Sequence, residues 1–261
     1  MKKPLQDVIF CSRKRRDILI LLQEAPLEMD YLLKSLDTNR QALLPQVKIL
    51  ENHYLVTKSD DVYGLTTIGK LIVDEVKPLL DTINVFDTNV EYWGTHDLGF
   101  IPPYLLKRIH ELSSCKVISN IPLTQIYEPS ENVLEKAKFS KVQTSVTTFI
   151  FPNFASILKD FTESGVKMRL IVTQELLSKI RNEMEEIRSL LNSGDHEVFL
   201  YSKEMNFMSF GTNDFCFMMR ALTKKGDYDM KYIMTCKPSA IQWGHELFDC
   251  YLKDSTPITV I

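Results

Sequence analysis

The stretch TNRQALLPQVKILENHYLV, residues 38–56, has the apolar spacing of a helix through Leu43, Val47 and Leu50, yet it carries a proline, Pro45, near its middle. Asp37, Thr38 and Asn39 supply a turn with N-cap candidates, so the helix is expected to begin near Asn39 or Arg40 and to end near His53–Tyr54. Pro45 then falls just beyond the first turn, where it removes one N–H donor and crowds the carbonyl of Gln41. With Leu43 and Val47 facing a core, Pro45 lies on the exposed side. Water can satisfy the freed carbonyl there, so a bent helix is expected.

Upstream, Val8, Ile9, Ile18, Leu19, Leu21 and Leu22 mark one helix from Val8 to Leu22, interrupted afterwards by Pro26. LEMDYLLKSL, residues 27–36, predicts a second short helix through Met29, Leu32, Leu33 and Leu36. Downstream, Val56–Thr57–Lys58 and Val62–Tyr63–Gly64–Leu65 read as two strands around a Ser59–Asp60–Asp61 tip. Three helices and a β-hairpin predict a winged helix-turn-helix over residues 1–80, with the bent helix as its recognition helix. That helix would present Thr38, Asn39, Arg40, Gln41 and Lys48. Arg can read guanine, and Asn or Gln can read adenine, in the major groove of double-stranded DNA. Lys48, Lys58 and the run SRKRRD, with Arg13, Lys14, Arg15 and Arg16, suit phosphate. Each of these residues alone is equally well a solvated surface side chain; the expectation rests on the set.

Composition narrows the rest. At 261 residues and 44% hydrophobic, the chain can bury a sizeable core and has the length of about two domains. No apolar run approaches the roughly 20 residues of a membrane span, and MKKPLQDVIF lacks the features of a signal peptide, so no membrane partner and a cytoplasmic location are expected. The net charge of -3 is unevenly spread: residues 1–70 hold 11 of the 31 Lys and Arg but only 9 of the 34 Asp and Glu. The five cysteines are odd in number and widely spaced, with no C-x-x-C pair. That pattern argues against a disulfide framework or a zinc site and for reduced, mostly buried thiols.

Residues 81–125 are assigned to a helical connector. An amphipathic pattern through Ile68, Leu71, Ile72, Leu79, Leu80 and Ile83 leads into it, with Pro78 as a break or kink, and this segment is the candidate for homodimerisation. Tyr92, Trp93 and His96 either line a pocket or seal two domains together, and the seal is the favoured reading. Residues 126–261 alternate: strands at Gln143–Phe151, Val166–Thr173 and His196–Tyr201, helices at Asn153–Glu163 and Gln174–Leu191. A hairpin of Phe207–Phe210 and Phe215–Leu222, a strand at Lys231–Cys236 and a closing helix at Pro238–Leu252 follow. The pattern predicts an α/β layer with a partly parallel sheet, and the whole chain falls in the α/β class.

The phrases LQDVIF, SLDTNRQALLPQVKILE, LTTIGKLIVDEVKPLL, EYWGTHDLGFIPPYLLKRI, FIFPNF and SAIQWGHELFDCYLKDSTPIT together resemble the archaeal winged-helix regulators of the methanogenesis-regulator (FilR-type) family over nearly the whole chain. Val47–Val56 followed by Tyr63–Lys70 is similar to the recognition helix and wing of ArsR-like regulators. The resemblance implies a transcription factor with a C-terminal sensory domain. The α/β part is also similar to a degenerate phospholipase-D-like half, but none of the five histidines has the H-x-K spacing that such chemistry needs, and no G-x-S-x-G, P-loop or H-E-x-x-H motif occurs. Neither an enzyme nor a cofactor is expected. A sensor needs only a shaped pocket with a few polar groups, for which Thr147, Thr148, Asn213, Asp214, Arg220, Trp243 and His245 are the candidates, with a small-molecule effector as ligand. A winged-helix adaptor that reads no DNA, and an α/β enzyme with an appended winged helix, are the alternatives.

Overall fold

The computed structural model describes residues 3–119, 131–193 and 196–261. They form two compact units, Met1–Leu80 and Asp81–Ile261.

The first unit opens with α1 (Leu5–Phe10) and α2 (Arg13–Leu21), where the apolar pattern alone predicts one helix. Ser12 is the cause of the split. Its extended backbone and a side chain that accepts from the Arg15 N–H make it the N-cap of α2. A two-residue strand, β1 (Leu27–Glu28), precedes α3 (Met29–Ser35) and pairs antiparallel with β3, Leu27 opposite Tyr63. The residues expected to begin a helix thus become a third strand beside the hairpin β2 (Val56–Ser59) and β3 (Val62–Leu65).

Helix α4 (Arg40–Asn52) begins on the Asn39 side chain, which accepts from the Ala42 N–H at 2.9 Å, and continues through an exposed Pro45. Leu43, Val47 and Leu50 are fully buried with Val8, Ile18, Met29, Leu32 and Tyr63 in one core. The hairpin is locked to the next helix, α5 (Thr67–Asp87), by close backbone approach. A Cβ on Gly69 would lie 2.0 Å from the Leu55 carbonyl oxygen, so only glycine fits, and Thr66 Oγ1 donates to the Tyr54 carbonyl at 2.6 Å. Pro78 lies inside α5 without ending it.

In the second unit, α6 (Val90–Thr95), α7 (Pro103–Leu106) and a 3-10 turn (Ile109–Leu112) lead to β4 (Lys116–Ile118). After α8 (Glu131–Ala137) come β5 (Val142–Thr147), α9 (Phe154–Glu163), β6 (Lys167–Thr173), α10 (Gln174–Glu183), α11 (Glu185–Ser193) and β7 (Glu197–Tyr201). The chain closes with β8 (Phe207–Thr212), β9 (Phe217–Ala221), β10 (Tyr232–Thr235), α12 (Pro238–Lys253) and β11 (Ser255–Ile258). The eight strands order as β11-β7-β6-β5-β8-β9-β10-β4, parallel only between β5, β6 and β7. Period-2 alternation gives the sheet two dissimilar faces. Val146, Ile171, Phe217 and Met219 point to a core with Trp243, Leu247 and Phe248 of α12. Met168, Leu170, Val172 and Val198 point to α9, α10 and α11.

Several expectations change here. Residues 81–118 pack inside the second unit rather than standing apart as a connector, and the boundary at 125/126 lies outside the described residues. Tyr92, Trp93 and His96 are buried in that unit's own core: His96 Nδ1 lies 2.7 Å from the Tyr92 carbonyl, and Nε2 3.1 Å from Asp229 Oδ1. The long helix at Gln174–Leu191 is two helices, with Arg188 Nη1 donating to the Arg181 carbonyl at 2.9 Å across the break. Cys216 and Cys236 form a disulfide, against the reading of all five cysteines as thiols. Phe217 pairs with Thr235 across β9 and β10, so the residues just outside that rung, Cys216 and Cys236, face each other. No spacing motif announces this, because strand register and not sequence proximity brings the sulfurs together.

Candidate nucleic-acid interface and cavity

The exposed face of α4 carries Arg40, Gln41, Leu44, Pro45 and Lys48. Several polar groups on and around it already have partners. Asn39 spends its side-chain oxygen on the helix cap, leaving its amide group outward. Lys14 Nζ donates to Thr38 Oγ1 at 3.1 Å, which ties the N-terminus of α2 to the turn before α4. Arg40 reaches the hairpin tip, with Nη2 3.2 Å from Asp61 Oδ1, and Lys58 Nζ lies 3.5 Å from the same oxygen. The Tyr63 side chain, whose ring centre lies 5.4 Å from Nζ, and then Asp61 hold the Lys58 ammonium above its ordinary pKa. Gln41 and Lys48 are exposed and pair with no described residue.

The basic run divides. Arg13 is exposed and pairs with Asp17 at 3.6 Å, and Arg16 is half-buried. Arg15 turns inward and is only 7% exposed. Its guanidinium donates to the carbonyls of Val8 and Asp7, at the end of α1, and to Gln46 Oε1 at 2.8 Å. The last carbonyls of a helix have no partner within it, and Arg15 supplies one while clamping α1, α2 and α4 together. Arg15 is therefore a structural residue, not an outward phosphate ligand. Sequence alone could not separate it from its neighbours in a run of four cations.

In the second unit a cavity of about 110 Å³ lies on the α9 side of the sheet. Alternate residues form its floor: Gln143, Ser145 and Thr147 of β5, Met168 and Leu170 of β6, Ser209 and Gly211 of β8, and Met218 and Arg220 of β9. Its roof is Leu134 of α8, Phe154, Ile157 and Phe161 of α9, and the Phe149–Phe151 loop. Gly211 is required by close approach, since a Cβ there would meet the Thr144 carbonyl oxygen at 2.7 Å.

Of the seven ligand candidates, Thr147, Asn213 and Arg220 line this cavity. Asn213 is committed to its turn: its Oδ1 accepts from the Phe215 and Cys216 N–H groups, and its Nδ2 donates to Gln143 Oε1. Thr148 lies elsewhere, donating to the Met208 carbonyl at 3.1 Å, and Asp214 accepts from the Lys141 N–H at 2.9 Å. Trp243 is fully buried on the opposite face, where its Nε1 donates to the Leu105 carbonyl at 3.0 Å. His245 sits half-buried on α12, where burial lowers its pKa. Ser145 and Ser209 line the cavity without standing among the candidates. For Ser145 the available signal is QTSVT, in which residues 143, 145 and 147 make one face of β5 polar; for Ser209 it is only its place two residues from Phe207 and Gly211 in β8.

A unit in which helices α1 to α4 precede a paired hairpin, joined to an α/β unit with a cavity on one face of its sheet, defines a winged-helix protein with an appended α/β domain. The chain belongs to the family of the methanogenesis regulatory protein FilR1: the model of that protein's N-terminal domain matches residues 6–84, and the model of its middle domain matches residues 126–254. It is 23% identical to the methanogenesis regulatory protein FilR1 of Methanothrix harundinacea (strain 6Ac) over 255 residues. That alignment takes in 95% of this chain and 56% of the relative, so the chain spans little more than half the relative's length. Among solved structures, the archaeal chromatin protein TrmBL2, described as showing a novel mode of DNA binding, aligns over 97% of both chains at 13% identity with a TM-score of 0.41. CalO1, a methyltransferase of calicheamicin biosynthesis, aligns over 74% of this chain and 62% of its own at 13% identity, with a TM-score of 0.24. At such scores neither alignment bears on function.

Proposed function

We propose that this chain is a DNA-binding transcriptional regulator that acts in the cytoplasm by binding and not by catalysis, and that its second unit senses a small molecule. One observation carries the DNA-binding part: α4 presents Gln41 and Lys48 outward, without partners among the described residues, beside a hairpin bearing Lys58. Family membership supports it, because the relative is named as a regulatory protein. Gln41 is the favoured base reader. Arg40 can serve as one only after leaving Asp61. A single winged helix spans a short half-site, so a homodimer on a two-fold operator is part of the reading. Ile68, Leu71, Leu79 and Ile83, all exposed on α5, are its candidate interface.

The test is fluorescence anisotropy of the purified chain on DNA from upstream of its own coding sequence and on scrambled DNA, over a range of salt. Gln41→Ala is expected to cost about 1–3 kcal/mol on the specific site alone. Lys48→Ala is expected to weaken both and to flatten the salt dependence by about one charge. Absence of binding to any DNA at low salt would favour the adaptor reading. Sedimentation with and without DNA tests the dimer, and a monomer in both conditions rejects it.

A further inference from the structure

We infer that the cavity beneath α8 and α9 binds a small organic carboxylate, whose anionic head pairs with Arg220 and Ser209 and whose body fills the apolar space beside them. This deepens the sensing part of the function proposed above and rests on it. The first ground is placement. Thr147, Ser209 and Arg220 are register partners on three adjacent antiparallel strands, so two hydroxyls and a guanidinium form one lateral row on the cavity floor. Directly opposite side chains in such a ladder are near enough to hold a single group together.

The second ground is charge. Arg220 is 8% exposed, and no carboxylate among the described residues pairs with it. Its guanidinium lies 5.3 Å from the centre of the Phe151 ring and 4.7 Å from that of Tyr232. The neighbouring Tyr228 side chain hydrogen-bonds to the guanidinium, and burial raises the pKa of its hydroxyl, so it brings a polar contact and no counter-charge. Aromatic faces hold a guanidinium in place, but they carry no counter-charge, and a buried cation favours an anion beside it. Ser209 is 5% exposed, and its hydroxyl makes no hydrogen bond to a described residue. Thr147 is less available: its Oγ1 donates to the Phe149 carbonyl at 2.6 Å and so shapes the loop that sets Phe151 over the guanidinium.

The third ground selects the class of anion. One cation and neutral hydroxyls balance a single negative charge, and the planar fork of arginine matches a carboxylate with two parallel hydrogen bonds. Beyond that row the lining adds the neutral polar side chains of Gln143, Ser145 and Asn213, and Leu134, Ile157, Phe161, Met168, Leu170 and Met218 supply hydrocarbon and thioether. At about 110 Å³ the space is of the order that accepts a benzene-sized body.

Isothermal titration calorimetry on the full chain without DNA tests this independently of whether the first unit binds an operator. The probes are benzoate and hexanoate, with benzamide, hexanamide and inorganic phosphate as controls. One of the two carboxylates is expected to bind at one site per chain, with its amide weaker by about tenfold or more, the factor for a lost charge-assisted hydrogen bond. Arg220→Gln should remove this preference for the acid, and Ser209→Ala should weaken binding by about three- to tenfold. Ser145→Leu fills the cavity from β5 while leaving Arg220 in place, and should abolish binding even if Arg220→Gln does not fold. The inference is overturned if neither acid binds at millimolar concentration, if the amides or phosphate bind as tightly as the acids, or if Ser145→Leu binds like the parent chain.

Discussion

The two units treat their polar side chains in opposite ways. The first turns them outward along α4 and the hairpin and lets neighbours hold them: Lys14 on Thr38, and both Arg40 and Lys58 on Asp61. The second turns a guanidinium and several hydroxyls inward, onto the floor of an apolar cavity. An outward surface suits a large, charged and hydrated partner such as a DNA duplex, because its ion pairs exchange at little cost in water. An inward row suits a small partner that must leave water to be bound, where each polar group discriminates strongly.

Three experiments bear on this contrast, the largest effect first. Replacing Cys216 and Cys236 together by serine removes a cross-link between residues 20 apart and is expected to cost about 3 kcal/mol in the stability of the second unit. Chemical denaturation should show that loss in the transition that moves buried Trp243, while thiol titration of the denatured, unreduced parent chain should find three reactive cysteines. Five reactive thiols would mean that no such bond forms. Next, Arg15→Ala is expected to destabilise the first unit by about 2 kcal/mol, since it removes the donor to the buried Val8 carbonyl and the bond to Gln46, while the Asp7 carbonyl keeps the Cys11 N–H. The salt dependence of DNA binding should stay unchanged. A shallower slope in a stably folded variant would mean that Arg15 contacts phosphate, and the division of the basic run would fail. The smallest effect belongs to Asp61→Asn. This change frees Arg40 and Lys58 from a half-exposed carboxylate, so DNA affinity should rise by the equivalent of about 0.5 kcal/mol at low salt. A fall in affinity would show that Asp61 positions these cations for DNA.

Much of the first unit is legible in its residues alone. Its periodicity is local: Leu43, Val47 and Leu50 recur at helical spacing, Asn39 stands where a cap is needed, and the two strands flank a polar tip. The features that periodicity does not reveal are small and tertiary. Ser12 splits a helix through a single side-chain contact, and Leu27–Glu28 is a strand only because β3 lies alongside. In the second unit the alternation of strands and helices is visible in the sequence, but the order of the sheet is not. The edge strands β4 and β11 join it far from their sequence neighbours. Four of the seven ligand candidates, Thr148, Asp214, Trp243 and His245, lie away from the cavity, because a polar residue near a strand end is as often a turn or core residue as a lining one.

By itself the sequence determined what repeats over a few residues: the helix that continues through Pro45 and does not break there, the hairpin, the family phrases and the α/β alternation. Tertiary structure decided which of several identical side chains has which role. Among four adjacent cations it buried Arg15, among five cysteines it joined Cys216 to Cys236, and among the polar residues of three strands it set Thr147, Ser209 and Arg220 in one row. The physical reason is common to all three. Periodicity tells which face of an element a residue is on, whereas its partner and exposure depend on strand register and helix packing: Arg15 meets Gln46 from another helix, Cys216 meets Cys236 across two strands, and Thr147 stands opposite Ser209, pairings that no local pattern encodes.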